Sequence, residues 1–342
     1  MNNIISKISK DLDVEIFLSK DPTRYECSYS MDNHGNVISL FLKGAKLKNI
    51  DLLLPLSENL EVLSLADCAI ENLSKVSAFS SLKKLSLNGN PLLHSAYENI
   101  SKLQNLKDLE LCSTTIKDTS PLGSLINLKI LNLSFNDDLI EVKGLKHLNS
   151  LSHIKLQFSL VDNLEKIEVN ENIEYMNVRT SEITHVAGLE NYSNLKELIL
   201  DGNGISKIEA LGSLVNLKRL NISSTSIAKI EGLENLRNLE VLDLSLQQIA
   251  KIEGLENLTR LRELDLSLNK ISKVENLDNL QNLEYVLLEC NKIQEFDSSW
   301  LKHLYYPCFI ALSANPIKQL DTPIPENITL QFQNTERLRK LF

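Results

Sequence analysis

Aromatic residues make up only 5% of this 342-residue chain, although 43% of its residues are hydrophobic. The apolar share therefore rests on aliphatic side chains, mainly Leu and Ile. That bias suits a core that uses one residue type at one position many times. Cysteines are few and scattered (Cys27, Cys68, Cys112, Cys290 and Cys308), with no CxxC or Cys/His spacing for zinc. Isolated thiols fit a reducing compartment. No apolar stretch reaches the ~18 residues that could span a membrane. The opening MNNIISKISKDLDVEIFL holds no uninterrupted apolar run of signal-peptide length and no small-residue cleavage site. The expectation is a cytoplasmic protein with no membrane partner. Positive charge is in deficit, 36 Lys and Arg against 45 Asp and Glu, for a net −9. Nucleic-acid affinity comes largely from Lys and Arg neutralising phosphates, so nucleic acid is not an expected partner. An acidic chain favours solubility and a basic partner.

Catalytic signatures are missing too. There is no H-E-x-x-H and no G-x-S-x-G. Asp201-Gly202-Asn203-Gly204 has a superficial likeness to a calcium loop but lacks the EF-hand spacing, and reads as a strand-to-turn transition. The six histidines are dispersed. Of these His153 falls on a strand, with no second His or Cys at ligand spacing. No metal, no cofactor and no enzymatic activity are expected. Asn191, Asn257 and Asn327 open N-x-S/T triplets, which the repeat described next generates by itself.

What is present is a repeat. LKRLNISSTSIAKIEGLENLRN, LEVLDLSLQQIAKIEGLENLTR and LRELDLSLNKISKVENLDNLQN begin at Leu217, Leu239 and Leu261, a period of 22. The pattern L-x-x-L-x-L-x-x-N/T/Q-x-I-x-x-I-x-x-L-x-x-L also starts at Val37, Leu60, Leu82, Leu106, Leu128, Leu151, Ile173, Leu195 and Leu283. It starts less regularly at Pro307, and about thirteen turns can be counted. Insertions fall near Pro91–His94, Asp137–Asp138 and Ser298–Tyr306. Length alone would suggest two domains, but repeat arrays grow in one dimension.

Each position has a physical task. The end of L-x-x-L-x-L alternates with period two, giving a short strand with one buried face. Strands of successive turns should stack as a parallel sheet on the concave side. The ninth position reads Ala45, Cys68, Asn90, Thr114, Asn136, Ser159, Ser181, Asn203, Thr225, Gln247, Asn269, Asn291 and Asn315. A buried polar side chain there can satisfy backbone groups that the turn leaves unpaired. The convex return, as in Ile230-Glu-Gly-Leu-Glu-Asn-Leu, is too short for a long helix and should be 3₁₀ or extended.

A solenoid exposes apolar core at both ends and needs caps. Residues 1–36 fall outside the repeat, and Ile4, Ile5, Ile8 and Leu12 have helical spacing, so an N-terminal helical cap is expected before a solenoid over 37–326. A C-terminal cap is expected over 327–342, with a degenerate strand at Ile328, Leu330 and Phe332. A closing helix should follow through Leu338, Leu341 and Phe342.

These residues resemble the 22-residue class of leucine-rich repeats over roughly 37–320. That class is best known from a nuclear regulatory subunit of protein phosphatase one, and also occurs in bacterial internalins and at the N-terminus of Roco-type GTPases. The resemblance implies an α/β solenoid, a horseshoe of about 13 turns that binds proteins through its concave parallel sheet. Three departures stand out. The phosphatase subunit's aromatic and proline C-terminal cap is not recognisable after Trp300, internalins are secreted whereas no signal is visible here, and no G-x-x-x-x-G-K-[ST] accompanies a Roco reading.

Strand alternation turns the third, fifth and seventh positions to the concave face, with the eighth at its rim. The middle turns place Ile130, Asn132, Phe135, His153, Lys155, Gln157, Phe158, Tyr175, Asn177 and Arg179 there, a mix of aromatic and basic residues suited to interface anchors. The next five turns give Glu197, Ile199, Asp201, Arg219, Asp243, Glu263, Asp265, Tyr285, Leu287 and Glu289, six acids against one base. Asp243 and Asp265 share a column on adjacent turns, where like charges repel unless something positive lies over them. Leu246 and Leu268 at the rim add apolar area. The column reads as a partner site for a basic segment, against the alternatives of a solvated face, a cation site or catalytic carboxylates. The leading expectation is a cytoplasmic regulator or sensor. The alternatives are a secreted or surface internalin-like adhesin and the repeat region of a larger signalling protein.

Overall fold

In a computed structural model of the chain, residues 3–21, 26–47, 49–320 and 323–332 are described. The chain divides into two compact units, Met1–Val161 with Lys166–Ile173, and Asp162–Glu165 with Glu174–Phe342.

The first unit opens with helix α1 (Asn3–Leu12), which buries Ile5 and Ile8. Its strands are β1 (Phe17–Leu18), β2 (Ser28–Met31), β3 (Val37–Lys43), β4 (Val62–Ala66), β5 (Lys84–Ser86), β6 (Asp108–Glu110), β7 (Ile130–Asn132) and β8 (His153–Lys155). β2 runs antiparallel to β3, and from β3 onward the pairs are parallel. The hairpin turn is fixed by Asp32, whose Oδ1 accepts the N–H groups of His34 and Asn36 at 2.9 Å each.

The second unit carries β9 (Tyr175–Asn177), β10 (Glu197–Ile199), β11 (Arg219–Asn221), β12 (Val241–Asp243), β13 (Glu263–Asp265), β14 (Tyr285–Leu287), β15 (Glu295–Phe296), β16 (Cys308–Ala311), β17 (Gln319–Leu320) and β18 (Ile328–Gln331). β9 to β14, then β16 and β18, form one parallel sheet; β15 and β17 pair separately. The register repeats without slippage, so Leu198, Leu220, Leu242, Leu264, Val286 and Ile310 form one buried column. The architecture is a parallel-sheet solenoid of about 13 turns.

Each repeat position performs the task its chemistry allows. The leading leucines Leu195, Leu217, Leu239, Leu261 and Leu283 are fully buried. Polar ninth-position residues tie one turn to the next. Asn203 Oδ1 accepts the N–H of Ser181 at 2.9 Å and of Ile183 at 3.0 Å, while its Nδ2 donates to the carbonyls of Val178 at 2.9 Å and Leu200 at 2.7 Å. One side chain thereby satisfies four backbone groups that would otherwise be buried unpaired. Gln247 does similar work with a longer side chain, accepting from Ile227 N–H at 2.9 Å and donating to Ile222 carbonyl at 2.6 Å. A second, exposed ladder comes from the Asn of each Asn-Leu step. Asn216, Asn238 and Asn282 donate to the carbonyls of Ser193, Val215 and Thr259 on the preceding turn. The Asn-Leu step therefore has a structural task of its own.

The returns opposite the sheet are turns and short 3₁₀ segments such as Asp51–Leu56 and Ser120–Ser124. One differs from the sequence expectation. The longer turn near Pro91–His94 leaves room for an α-helix, α2 (His94–Ile100), which buries Ala96, Tyr97 and Ile100. In Ile-Glu-Gly-Leu the glycine is required. Gly232 and Gly254 have φ of +74° and +71°, and a Cβ there would lie 2.6 Å from the carbonyl oxygens of Ile208 and Ile230. The closing helix expected after Glu336 lies outside the described residues.

Candidate protein-binding face

Each sheet strand is three residues long over most of the array, with its middle residue buried and its flanking third and fifth positions turned outward. The fifth position also builds the turn that follows. Asp243 Oδ1 accepts the N–H and hydroxyl of Ser245 at 3.0 and 2.7 Å, and Asp265 does the same for Ser267 at 2.9 and 2.5 Å. Asn221 holds Ser223 identically at 3.0 and 2.8 Å, as Asn132 holds Ser134 at 3.2 and 2.7 Å. A neutral amide oxygen thus completes the turn as well as a carboxylate. The cap accounts for an oxygen at this position and leaves the negative charge without a structural reason.

The eighth position is left-handed throughout. Ser113, Thr180, Ser224 and Cys290 occupy it at φ +50° to +56°. Bulky apolar residues are poorly suited to that backbone region, which costs an L-residue about 1–2 kcal/mol. Four stand there nonetheless: Phe135, Phe158, Leu246 and Leu268, at φ +60°, +52°, +57° and +57°. They are 47%, 40%, 49% and 46% exposed, so core packing does not explain them. In the first unit Phe135 and Phe158 stack on each other, centroids 4.8 Å apart with planes at 14°.

In the second unit the face forms a groove of about 690 Å³. Its acids are Glu197, Asp243, Glu263 and Asp265; its apolar lining includes Ile199, Val241, Tyr285, Leu287 and Phe309. Tyr285 and Phe309 lie tilted, centroids 6.4 Å apart. Among the described residues no ion pair forms at Asp243, Glu263, Asp265 or Glu289, whereas Glu197 lies 3.9 Å from Arg219. Burial pushes the Asp265 carboxyl above its usual range; Ser267 opposes this through its hydrogen bonds, and the charges of Asp243 and Glu289 add to the rise.

Comparison with known proteins agrees with this geometry. The pattern described as leucine-rich repeats (2 copies) matches residues 193–235, 215–257 and 237–279. Residues 193–279 are leucine-rich repeats, and the chain has the leucine-rich-repeat fold. No curated protein matches it in sequence. Among solved structures, a leucine-rich-repeat protein of Leptospira interrogans is 22% identical, with 100% of this chain and 91% of that one covered at a TM-score of 0.66. An internalin (inlF) of Listeria monocytogenes is 23% identical over 89% and 84% of the two chains, TM-score 0.60. A plant peptide hormone receptor, RGFR1, solved in complex with RGF2, is 20% identical over 89% of this chain and 59% of its own, TM-score 0.53. At such identities the likeness is one of fold. The fold is that of protein–protein interaction scaffolds, which are generally non-enzymatic.

Within this solenoid, the residues singled out from the sequence are distributed unevenly. Phe135, His153, Lys155 and Phe158 belong to the first unit, Tyr175 and Arg179 to the second. His153 Nδ1 lies 2.8 Å from Ser152 Oγ, and Tyr175 hydroxyl accepts from Asn177 Nδ2 at 3.1 Å. Arg179, read as part of an aromatic and basic patch, pairs instead with Asp201, Nε to Oδ2 at 2.9 Å. Asp201 is buried and its carboxyl is raised mainly by that burial, against the pull of Arg179. Asp201 is therefore not an available acid, and Arg179 and Asp201 satisfy each other. Glu289 does not line the groove, but its charge bears on Asp265. Glu197, Arg219, Asp243, Glu263, Asp265 and Tyr285 do line it together.

Val241 and Phe309 were missed as lining residues. Val241 looks like core in a column of polar neighbours, and Phe309 sits in the irregular turn begun by Pro307, although it is the third residue of that turn. Asn170 was also missed: buried outside the ladder column, it donates to the carbonyls of Leu145 and Leu148 at 2.7 and 3.0 Å. Among the described residues no cluster of three His, Cys, Asp or Glu side chains could hold a metal ion.

Proposed function

We propose that the chain is an interaction scaffold that binds a basic segment of a partner protein through the sheet face of its second unit, as a cytoplasmic regulator or sensor. The observation that carries this reading is the column of Asp243 and Asp265 in a groove with an apolar lining. Two carboxylates stand side by side where asparagine completes the same turn, with Glu263 beside them and no cation paired to any of the three among the described residues. A partner's Lys or Arg would remove that repulsion on docking, setting orientation and association rate more than bulk affinity. The exposed left-handed Leu246 and Leu268 on the same turns supply apolar contact area beside the charge. The net charge of −9 supports a protein or peptide partner over nucleic acid or an anionic membrane surface. The five unbridged cysteines support the cytoplasmic setting.

Binding of labelled Arg/Lys-rich and Glu-rich peptides, followed by anisotropy across a salt series, tests the reading. The basic peptide should bind with an affinity that falls as salt rises, and Asp243→Asn with Asp265→Asn should weaken it about tenfold or more and flatten the salt slope. Equal affinity for basic and acidic peptides would overturn it. The internalin-like fold favours a second reading, a surface adhesin using the same face. Immunoblotting of fractionated source cells separates the two, since the first reading requires the protein in the soluble fraction and the second requires it at the surface.

A further inference from the structure

The groove has two chemically distinct ends in fixed register. Along the fifth column the strands place Asn221, Asp243, Asp265, Leu287 and Ala311 opposite one another in turn. Along the third column they place Arg219, Val241, Glu263, Tyr285 and Phe309. Acid is therefore concentrated on β12 and β13, and uncharged apolar surface on β14 and β16. Beyond β12, Arg219 on β11 lies 3.9 Å from Glu197 on β10, so the unpaired acids of the groove are those of β12 and β13, and a bound cation is favoured over that pair. Tyr285, 51% exposed and tilted against Phe309 with Leu287 beside it, presents an open aromatic surface.

We infer that this groove reads two side chains of one extended segment at once: a Lys or Arg over Asp243 and Asp265, and an apolar, preferentially aromatic, residue against Tyr285, Leu287 and Phe309, three positions apart in the chain. The inference rests on the binding reading above and names the segment that reading requires. Strands in a sheet are spaced by ~4.8 Å, so two strand spacings, about 9.6 Å, separate the middle of β12 and β13, which carry Asp243 and Asp265, from the middle of β14 and β16, which carry Tyr285, Leu287 and Phe309. A polyproline-II segment returns to the same side every third residue and rises ~3.1 Å per residue, which gives about 9.3 Å. A β-strand places same-side residues about 6.8 or 13.6 Å apart, and neither fits. A side-chain pair at i and i+3 on a polyproline-II backbone is thus the segment whose spacing matches both ends. Such a segment loses little conformational entropy on docking, because that backbone is already populated in the free chain.

A series of labelled short peptides tests this. Each holds one Arg and one Trp in a Pro/Ala background, separated by one to five positions in both orders, and is titrated by microscale thermophoresis at low salt. The i, i+3 spacing should bind about tenfold more tightly than the adjacent pair and the widest spacing, the size of one lost side-chain contact. Asp243→Asn with Asp265→Asn should abolish the benefit of Arg but leave that of Trp; Tyr285→Ala with Leu287→Asn should do the reverse. A uniform affinity across spacings, still dependent on Arg, would overturn the two-point reading and leave the basic-segment reading standing. An optimum at i+2 or i+4 would overturn the polyproline-II spacing. No Arg-dependent binding by any peptide would overturn both readings together.

Discussion

Replacing Asp243 and Asp265 by Asn should make the protein more stable while weakening what it binds. The two residues are register partners on adjacent strands, so their carboxylates stand roughly 5 Å apart. At that distance two unit charges repel by about 1 kcal/mol in bulk water and about 3 kcal/mol at the effective dielectric of a half-buried surface. Solvent access at this open face favours the lower figure, about 1–2 kcal/mol. Asparagine keeps the oxygen that accepts from Ser245 and Ser267, as Asn221 does for Ser223. No hydrogen bond of the turn is lost. For a unit of about 170 residues the gain corresponds to a rise of about 2–8 °C in Tm. Calorimetry of the wild type, both single variants and the double variant gives the answer. Each single change removes the whole pairwise repulsion, so the double should gain less than the sum of the singles. The pH dependence carries a matching sign. Asp265 is raised in the fold, so the folded state binds more protons than the unfolded chain. Its contribution should fall as pH rises from about 3.9, the unfolded value, up through the raised folded value, and Asp265→Asn should erase that dependence. A double variant that melts at or below the wild-type temperature, with additive singles, would refute the reasoning.

Asn203→Ala strips partners from the N–H groups of Ser181 and Ile183 and the carbonyls of Val178 and Leu200, and should cost about 3–5 kcal/mol. Asn216→Ala, which removes one exposed bond to Ser193 carbonyl, should cost under about 1 kcal/mol in the same urea titration. Leu246→Asn places a residue tolerant of left-handed backbone at φ +57°, so it should leave stability unchanged or raise it by up to about 1 kcal/mol while weakening partner binding. Burial pushes the thiols of Cys68 and Cys112 up to about 11 and that of Cys308 up to about 12, so all three should resist iodoacetamide at neutral pH, and the exposed Cys290 should be alkylated first by mass spectrometry.

The solenoid and its columns were readable because one physical task recurs at one spacing. A strand position that must bury Leu in one turn must bury it in the next, and each Asn at the ninth position has the same backbone groups to satisfy. The pairing of Arg179 with Asp201 was also within reach, since both are seventh-position residues of consecutive turns. Grouping by charge hides it, because Arg179 closes the basic middle turns and Asp201 opens the acidic ones. The D/N-x-S caps at Asn221, Asp243 and Asp265 are visible in the sequence as well, but their meaning depends on which oxygen accepts from which serine. The left-handed eighth column was hidden. Phe135, Phe158, Leu246 and Leu268 stand where such a backbone would ordinarily draw Gly or Asn, so propensity pointed away from the conformation they adopt. Helix α2 is not legible in the sequence because two inserted residues between Leu82 and Leu106 are enough to convert a 3₁₀ return into a short helix, and periodicity reports only that residues were inserted.

The most direct test of the binding face is affinity capture from the source cell's soluble extract, comparing wild type with a folded Asp243→Asn, Glu263→Gln, Asp265→Asn variant by quantitative mass spectrometry. The account predicts a protein with a basic segment that is retained by the wild type and lost by the variant, while contacts unrelated to the face are shared. Identical captures by two equally folded proteins would contradict it.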